Sequence, residues 1–161
     1  MIVHMRIDNR LIHGQVAVSW VGAIGANRLL VVNDEVADDP IQKVMLPAAA
    51  RGVKTLVLSI DEAVEFLKNA PENDRIMIIA KFPSDALTLL EKGVVPKEIN
   101  VGNQAPLPVT KYKMVTKSIA VTQEDAVVYR KIQDMGYRLT CMMMPSDSSK
   151  SFIDLLVGKK L

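Results

Sequence analysis

Short aliphatic runs that alternate with stretches of helical periodicity constrain this chain more than any other feature. The runs are IVHMRI at 2–7, RLLVVN at 28–33, KTLVL at 54–58, RIMIIA at 75–80, EINV at 98–101, KSIAV at 117–121 and RLTCMM at 138–143. Near-continuous aliphatic strands of this length suit a parallel sheet covered on both faces, because a strand with one wet face alternates apolar and polar side chains instead. Between the runs, 14–24, 35–50, 61–69, 84–92, 123–135 and 148–157 carry helical patterns. Together they predict an α/β fold, with a mostly parallel central sheet of about seven strands and helices on both faces, Rossmann-like in layout. Thr122 ahead of Gln123, Glu124 and Asp125 predicts an N-cap, and Gly136 a helix stop. Pro47 is expected to kink or split the 35–50 helix near Met45.

The length of 161 residues suits one domain spanning 1–161. Twenty basic against eighteen acidic side chains leave +2, which does not describe a surface built to wrap a polyanion, so nucleic acid is not an expected partner. One cysteine and two histidines rule out a disulfide framework, a thiolate zinc cluster and the multi-histidine metal sites, so no metal is expected. Cys141 is expected in the core, and Met142 to Met144 as apolar filler, not a sulfur site. Apolar runs such as Leu29 to Val32 fall well short of the roughly 18 residues a membrane span needs. No apolar segment follows a basic leader, and the expectation is a cytoplasmic chain without membrane insertion.

In open α/β sheets, ligand chemistry gathers at the carboxyl ends of the strands. The first predicted strand ends there in Arg6-Ile7-Asp8-Asn9-Arg10-Leu11-Ile12-His13-Gly14-Gln15-Val16, the densest polar cluster in the chain, immediately before a helix. Backbone N–H groups of Gly14, Gln15 and Val16 can face an anion at that helix N-terminus. A neutral imidazole at His13 is a competent nucleophile for a phosphoryl group, which it can pass on from a phosphoramidate. Arg6 and Arg10 offer planar forks that bind and neutralise phosphate oxygens, and Asp8 can orient an arginine or the imidazole. Lys81, after the fourth predicted strand, falls at the same sheet edge. Against this stands the plainer reading of His13 as a hydrogen-bonded structural residue, and His4, inside the strand, takes that reading outright.

Other features have ordinary explanations. Asn33, Asp34, Glu35, Asp38 and Asp39 suit helix capping. Gly22 and Gly25 end a predicted helix instead of following a strand, which is not a dinucleotide fingerprint. A receiver-like domain phosphorylated on aspartate needs an acid where Leu58-Ser59-Ile60 ends the third strand. A noncatalytic flavodoxin-like binding or scaffold module accounts for the fold but gives the Arg-His-Gly cluster no purpose.

RIDNRLIHGQV, followed by Trp20 and by NDEVADDPIQ at 33–42, resembles the enzyme IIB components of the mannose/fructose/sorbose family of the bacterial sugar phosphotransferase system. The resemblance extends through Lys81-Phe82-Pro83 and Asn100-Val101-Gly102-Asn103 to nearly the whole chain. It implies a phosphocarrier that needs no cofactor. In this family, a histidine takes a phosphoryl group from a cytoplasmic IIA component through its δ nitrogen. It then gives the group to a sugar entering through membrane IIC and IID components, with which the carrier associates peripherally. By motif position, His13 is that histidine, and Arg10, Asp8 and Gln15 line or order its loop with Arg6 beside them; Gly14, Val16 and Lys81 are expected around the phosphate from their places at the helix start and the sheet edge. Leu11, Ile12 and Phe82 are expected as an apolar rim that meets IIA. The segment after Gly102 departs from the family, which commonly carries an apolar residue such as methionine where this chain continues Asn103-Gln104. NDEVADDPIQ is most similar to the N-acetylgalactosamine branch.

Overall fold

A computed structural model describes residues 1–161. The strands are β1 (Ile2–Asp8), β2 (Arg28–Val32), β3 (Lys54–Leu58), β4 (Ile76–Ala80), β5 (Ile99–Asn103), β6 (Lys113–Thr116), β7 (Ile119–Val121), β8 (Leu139–Cys141) and β9 (Lys150–Ser151). The helices are α1 (Gly14–Ile24), α2 (Asp34–Ala37), α3 (Pro40–Ala49), α4 (Ile60–Lys68), α5 (Pro83–Glu91), α6 (Gln123–Asp134) and α7 (Phe152–Gly158). The main sheet runs β3-β2-β4-β1-β5-β8-β9, parallel throughout except for the short β9.

Alternation along the strands divides the core in two. Met5, Ile7, Leu30, Val32, Ile78 and Ala80 point to one face, under Ala63, Leu89, Tyr129 and Phe152 of α4 to α7. Leu29, Val31, Met77 and Ile79 point to the other, under Ala17, Trp20 and Val21 of α1. On β1 the period of two sends Met5 and Ile7 toward the first face and His4, Arg6 and Asp8 toward the α1 side, where Trp20 meets both His4 and Arg6. The register sets Ile7 beside Ala80 on β4, and Asp8 beside Asn103 on β5. The ends of β1, β4 and β5 therefore lie together. The crossovers β1–α1–β2 and β4–α5–β5 leave in opposite directions from this pair of strands, which makes their carboxyl ends the switch point of the sheet.

The α/β reading and the parallel sheet agree with the structure, but two local expectations are corrected. Residues 117–121 do not join the main sheet: Ile119–Val121 pairs with Lys113–Thr116 in a separate antiparallel ribbon, and the seventh strand is β9. The 35–50 helix breaks at Asp38–Asp39 and not near Met45. Asp39 accepts N–H bonds from Ile41 and Gln42 as an N-cap, and Pro40 takes the first turn, where no N–H is needed. Pro47 then falls close to the end of α3, where it interrupts little of the hydrogen-bond ladder.

Candidate active site

The β1–α1 loop is organised by one buried carboxylate. Asp8 Oδ1 accepts the Arg10 backbone N–H at 2.9 Å and Arg10 Nε at 3.2 Å, while Oδ2 accepts Arg10 Nη2 at 3.0 Å and Arg6 Nε at 3.2 Å. The Asp8 carbonyl also accepts the Leu11 N–H at 3.1 Å. These bonds hold a turn in which Leu11 takes a left-handed conformation, φ 64°. That conformation costs a branched residue about 1–2 kcal/mol, offset by tucking the Leu11 side chain into the core beside Ile12. Leu11 is 6% exposed and Ile12 7%, so the expectation that they form an outward rim is corrected: the left-handed turn folds them under the loop.

The same turn brings the chain back to the surface at His13. His13 is exposed, has extended backbone (φ −122°, ψ 103°) and makes no side-chain capping bond, so its ring is open to solvent. Its carbonyl accepts the Val16 N–H at 3.1 Å. Gly14, at φ 51°, turns the chain into α1, a backbone state glycine adopts without penalty. Gly14 and Gln15 are exposed and Val16 half-buried, so the first turn of α1 opens at the surface beside the imidazole.

Arg6 is placed differently from its expected role as an anion ligand. It is 1% exposed, and its nitrogens are spent: Nε on Asp8, Nη1 on Asn100 Oδ1 at 2.5 Å and the Met142 carbonyl at 3.0 Å, Nη2 on the Met143 carbonyl at 3.1 Å. Burial presses its pKa below the ordinary arginine value, and the Asp8 charge opposes this. The guanidinium fills the space beside Gly102, where any Cβ would overlap Arg6 Cζ. Arg6 is thus a tie between β1, β5 and the segment after β8, while Arg10 remains the partly exposed cation of the pair. Two guanidiniums share one carboxylate, which leaves the base of the loop with surplus positive charge.

A second set of bonds closes the rim. Asn9 Oδ1 accepts from the Ala105 N–H at 2.9 Å and from Asn103 Nδ2 at 3.3 Å, and Asn9 Nδ2 donates to the Ala105 carbonyl at 3.0 Å. Buried Gln104 donates to the Lys81 carbonyl at 2.8 Å. Lys81 is half-buried with Nζ 5.1 Å from the Phe82 ring centroid, at the edge expected for it. Asn103 and Gln104, with Asn9, therefore tie the β1–α1, β4–α5 and β5–β6 loops together.

Sequence reasoning did not assign Asn9, Asn100, Gly102, Gln104 and Met143 to the support of this loop. It also read Met143 as filler, whereas its sulfur lies 3.3 Å from Arg10 Nη2 and 3.8 Å from Arg6 Nη2. No three His, Cys, Asp or Glu side chains gather anywhere in a way that would hold a metal ion. An open imidazole at a helix start, on the same loop as an anchored and partly exposed guanidinium, suits transient attachment of an anionic group.

Comparison with known proteins bears on this loop and the whole chain. The sequence profile described as "PTS system sorbose subfamily IIB component" matches residues 2–161. The N-acetylgalactosamine-specific phosphotransferase enzyme IIB component 2 of Escherichia coli (strain K12) is 35% identical, over 96% of this chain and 98% of its own. The fructose-specific EIIB component of Bacillus subtilis (strain 168) is 34% identical, over 96% and 95%. The crystal structure of the IIBSor domain of the sorbose permease from Klebsiella pneumoniae superposes with a TM-score of 0.90 at 30% identity, covering 97% of this chain and 96% of that one. No helix here is long and apolar enough to cross a membrane. These relatives are IIB components of sugar phosphotransferase systems, and the chain belongs to the sorbose-subfamily IIB family of that system.

Proposed function

We propose that this chain is a phosphocarrier in which His13 takes a phosphoryl group from a phosphorylated IIA component and gives it to a sugar entering through membrane IIC and IID components. The observation that carries the reading is the exposed, uncapped His13 ring at the start of α1, three residues along the same loop from an arginine that Asp8 holds by three bonds. A lone pair of the imidazole, Nδ1 by the family resemblance, attacks phosphorus. An N–P bond forms as the donor's N–P bond breaks, and the donor imidazole keeps the electron pair. In the second step the sugar hydroxyl oxygen attacks, its proton leaves to a base or water, and His13 regains its lone pair.

The chain's own groups supply charge and position. Arg10 offsets negative charge on the moving group, and the N–H groups of Gly14 and Gln15 serve the same anion, with Lys81 adding a cation at the neighbouring strand end; the expected N–H of Val16 is corrected out of this set, because the His13 carbonyl already takes it. Phe82 is left as the apolar element of the rim. The N-acetylgalactosamine-, fructose- and sorbose-specific names of the relatives fit a sugar substrate without choosing one.

The test is phosphoryl transfer from phosphorylated IIA, followed by intact mass and acid lability. A mass gain of one phosphoryl group that vanishes in His13→Ala and persists in His4→Ala is the expected result. No acceptance from any cognate IIA, or acceptance that survives His13→Ala, overturns the proposal.

A further inference from the structure

Resting on the reading of His13 as acceptor, we infer that Met143 is a positioning residue: its thioether occupies the outer edge of the Arg10 guanidinium and yields that edge to the incoming phosphoryl oxygens. Asp8 takes one side of the guanidinium, with Oδ1 on Nε at 3.2 Å and Oδ2 on Nη2 at 3.0 Å. The second hydrogen of Nη2 faces the remaining edge, shared with Nη1, which is the edge a phosphate would grip in a two-pronged bond. Met143 Sδ lies there, 3.3 Å from Nη2.

A carboxylate or carbonyl at this place would hold the edge against a phosphate oxygen. A thioether is a weak acceptor, so the arginine gives it up at little cost. The main chain beneath is fixed, because the Met143 carbonyl accepts from Arg6 Nη2 at 3.1 Å and Trp20 Nε1 at 2.9 Å, and the Met144 N–H donates to Asp147 Oδ2 at 2.9 Å. The side chain above it turns about three bonds and can swing aside without moving the loop. Asp8 alone aligns the guanidinium, and the sulfur covers its free edge at rest without competing for it, then clears that edge during transfer.

The test measures single-turnover phosphoryl transfer from phosphorylated IIA for the parent, Met143→Leu and Met143→Gln, each also in the Arg10→Ala background. Leucine conserves volume without an acceptor and is expected to transfer within about twofold of the parent. Glutamine sets an amide oxygen on the edge. It is expected to slow the first-order transfer step about tenfold, with no change in the IIA concentration for half-maximal rate. In the Arg10→Ala background the three residues at 143 should give equal rates. Parental transfer by Met143→Gln, equal losses for Gln and Leu, or a Gln effect that survives Arg10→Ala each overturns the inference. Should the Gln variant fail to fold, Met143→Asn, which also carries an amide oxygen, takes its place: a slowing that vanishes in the Arg10→Ala background supports the inference, and a parental rate overturns it. A parent that accepts no phosphoryl group on His13 defeats the reading of the site itself, and the inference with it.

Discussion

The two histidines of the chain stand at opposite ends of one short stretch and have opposite surroundings. His4 is 2% exposed, stacked on Trp20 with ring centroids 4.7 Å apart, and neither of its nitrogens has a hydrogen-bond partner. Burial, helped by the Arg6 charge, pushes its pKa down to about 4. The Glu98 carboxylate lies 3.6 Å from Nδ1 and would favour the charged form, but it is mostly exposed and solvent weakens its pull, so the ring stays neutral. His13 sits past the strand, beyond a left-handed turn, in water. Placement along β1, not residue type, separates a buried packing element from an imidazole open to solvent.

The comparison is most easily broken at Asp8, on which both regions lean. Asp8→Ala leaves Arg6 buried without its counter-charge and should cost about 3–5 kcal/mol, read as a lowered urea midpoint. A midpoint equal to the parent's would mean that the carboxylate does not hold the loop. Next in size is Arg10→Ala, which should slow phosphoryl acceptance about 10²–10³-fold while the melting temperature stays near the parent's, since Arg10 is partly exposed. Unchanged transfer would remove Arg10 from the mechanism.

His4 makes a pH prediction with a definite sign. Its folded pKa of about 4 lies below the ordinary 6.5, so the unfolded chain binds the proton first as pH falls. His4 therefore costs no stability above pH 6.5, and the fold loses about 3 kcal/mol as pH drops from 6.5 to 4. Urea unfolding at several pH values should show this slope in the parent and a smaller one in His4→Phe. A slope that persists in the variant would assign it to other groups. The smallest expected effect is at Phe82: Phe82→Ala should slow transfer from IIA a few-fold without loss of fold, and parental kinetics would take Phe82 out of the docking rim.

The sheet was readable because each of its long strands is a local aliphatic run, visible without knowledge of its neighbours. Ile119–Val121 looks the same locally but pairs in a ribbon, and the two residues of β9 are too short to leave a pattern. The break ahead of Pro40 is carried by Asp39, whose capping role is legible in the sequence, but the helical pattern runs on through 35–50 and masks the stop. The site was legible where its residues are contiguous, from Arg6 to Val16. Its supports come from Asn100, Gly102, Gln104 and Met143, brought in by strand pairing, and no local pattern announces them. Leu11 and Ile12 were misplaced because a left-handed turn reverses which way a side chain points, and periodicity assumes the chain keeps its direction.

Trp20 is the sole tryptophan of the chain, and its indole N–H is bonded to the Met143 carbonyl while its ring faces the Arg6 guanidinium at 5.2 Å. Any rearrangement of the ties beneath Arg10 must alter the field around that one chromophore. The protein therefore carries an intrinsic optical reporter of whether those ties are intact, readable by emission wavelength without a label.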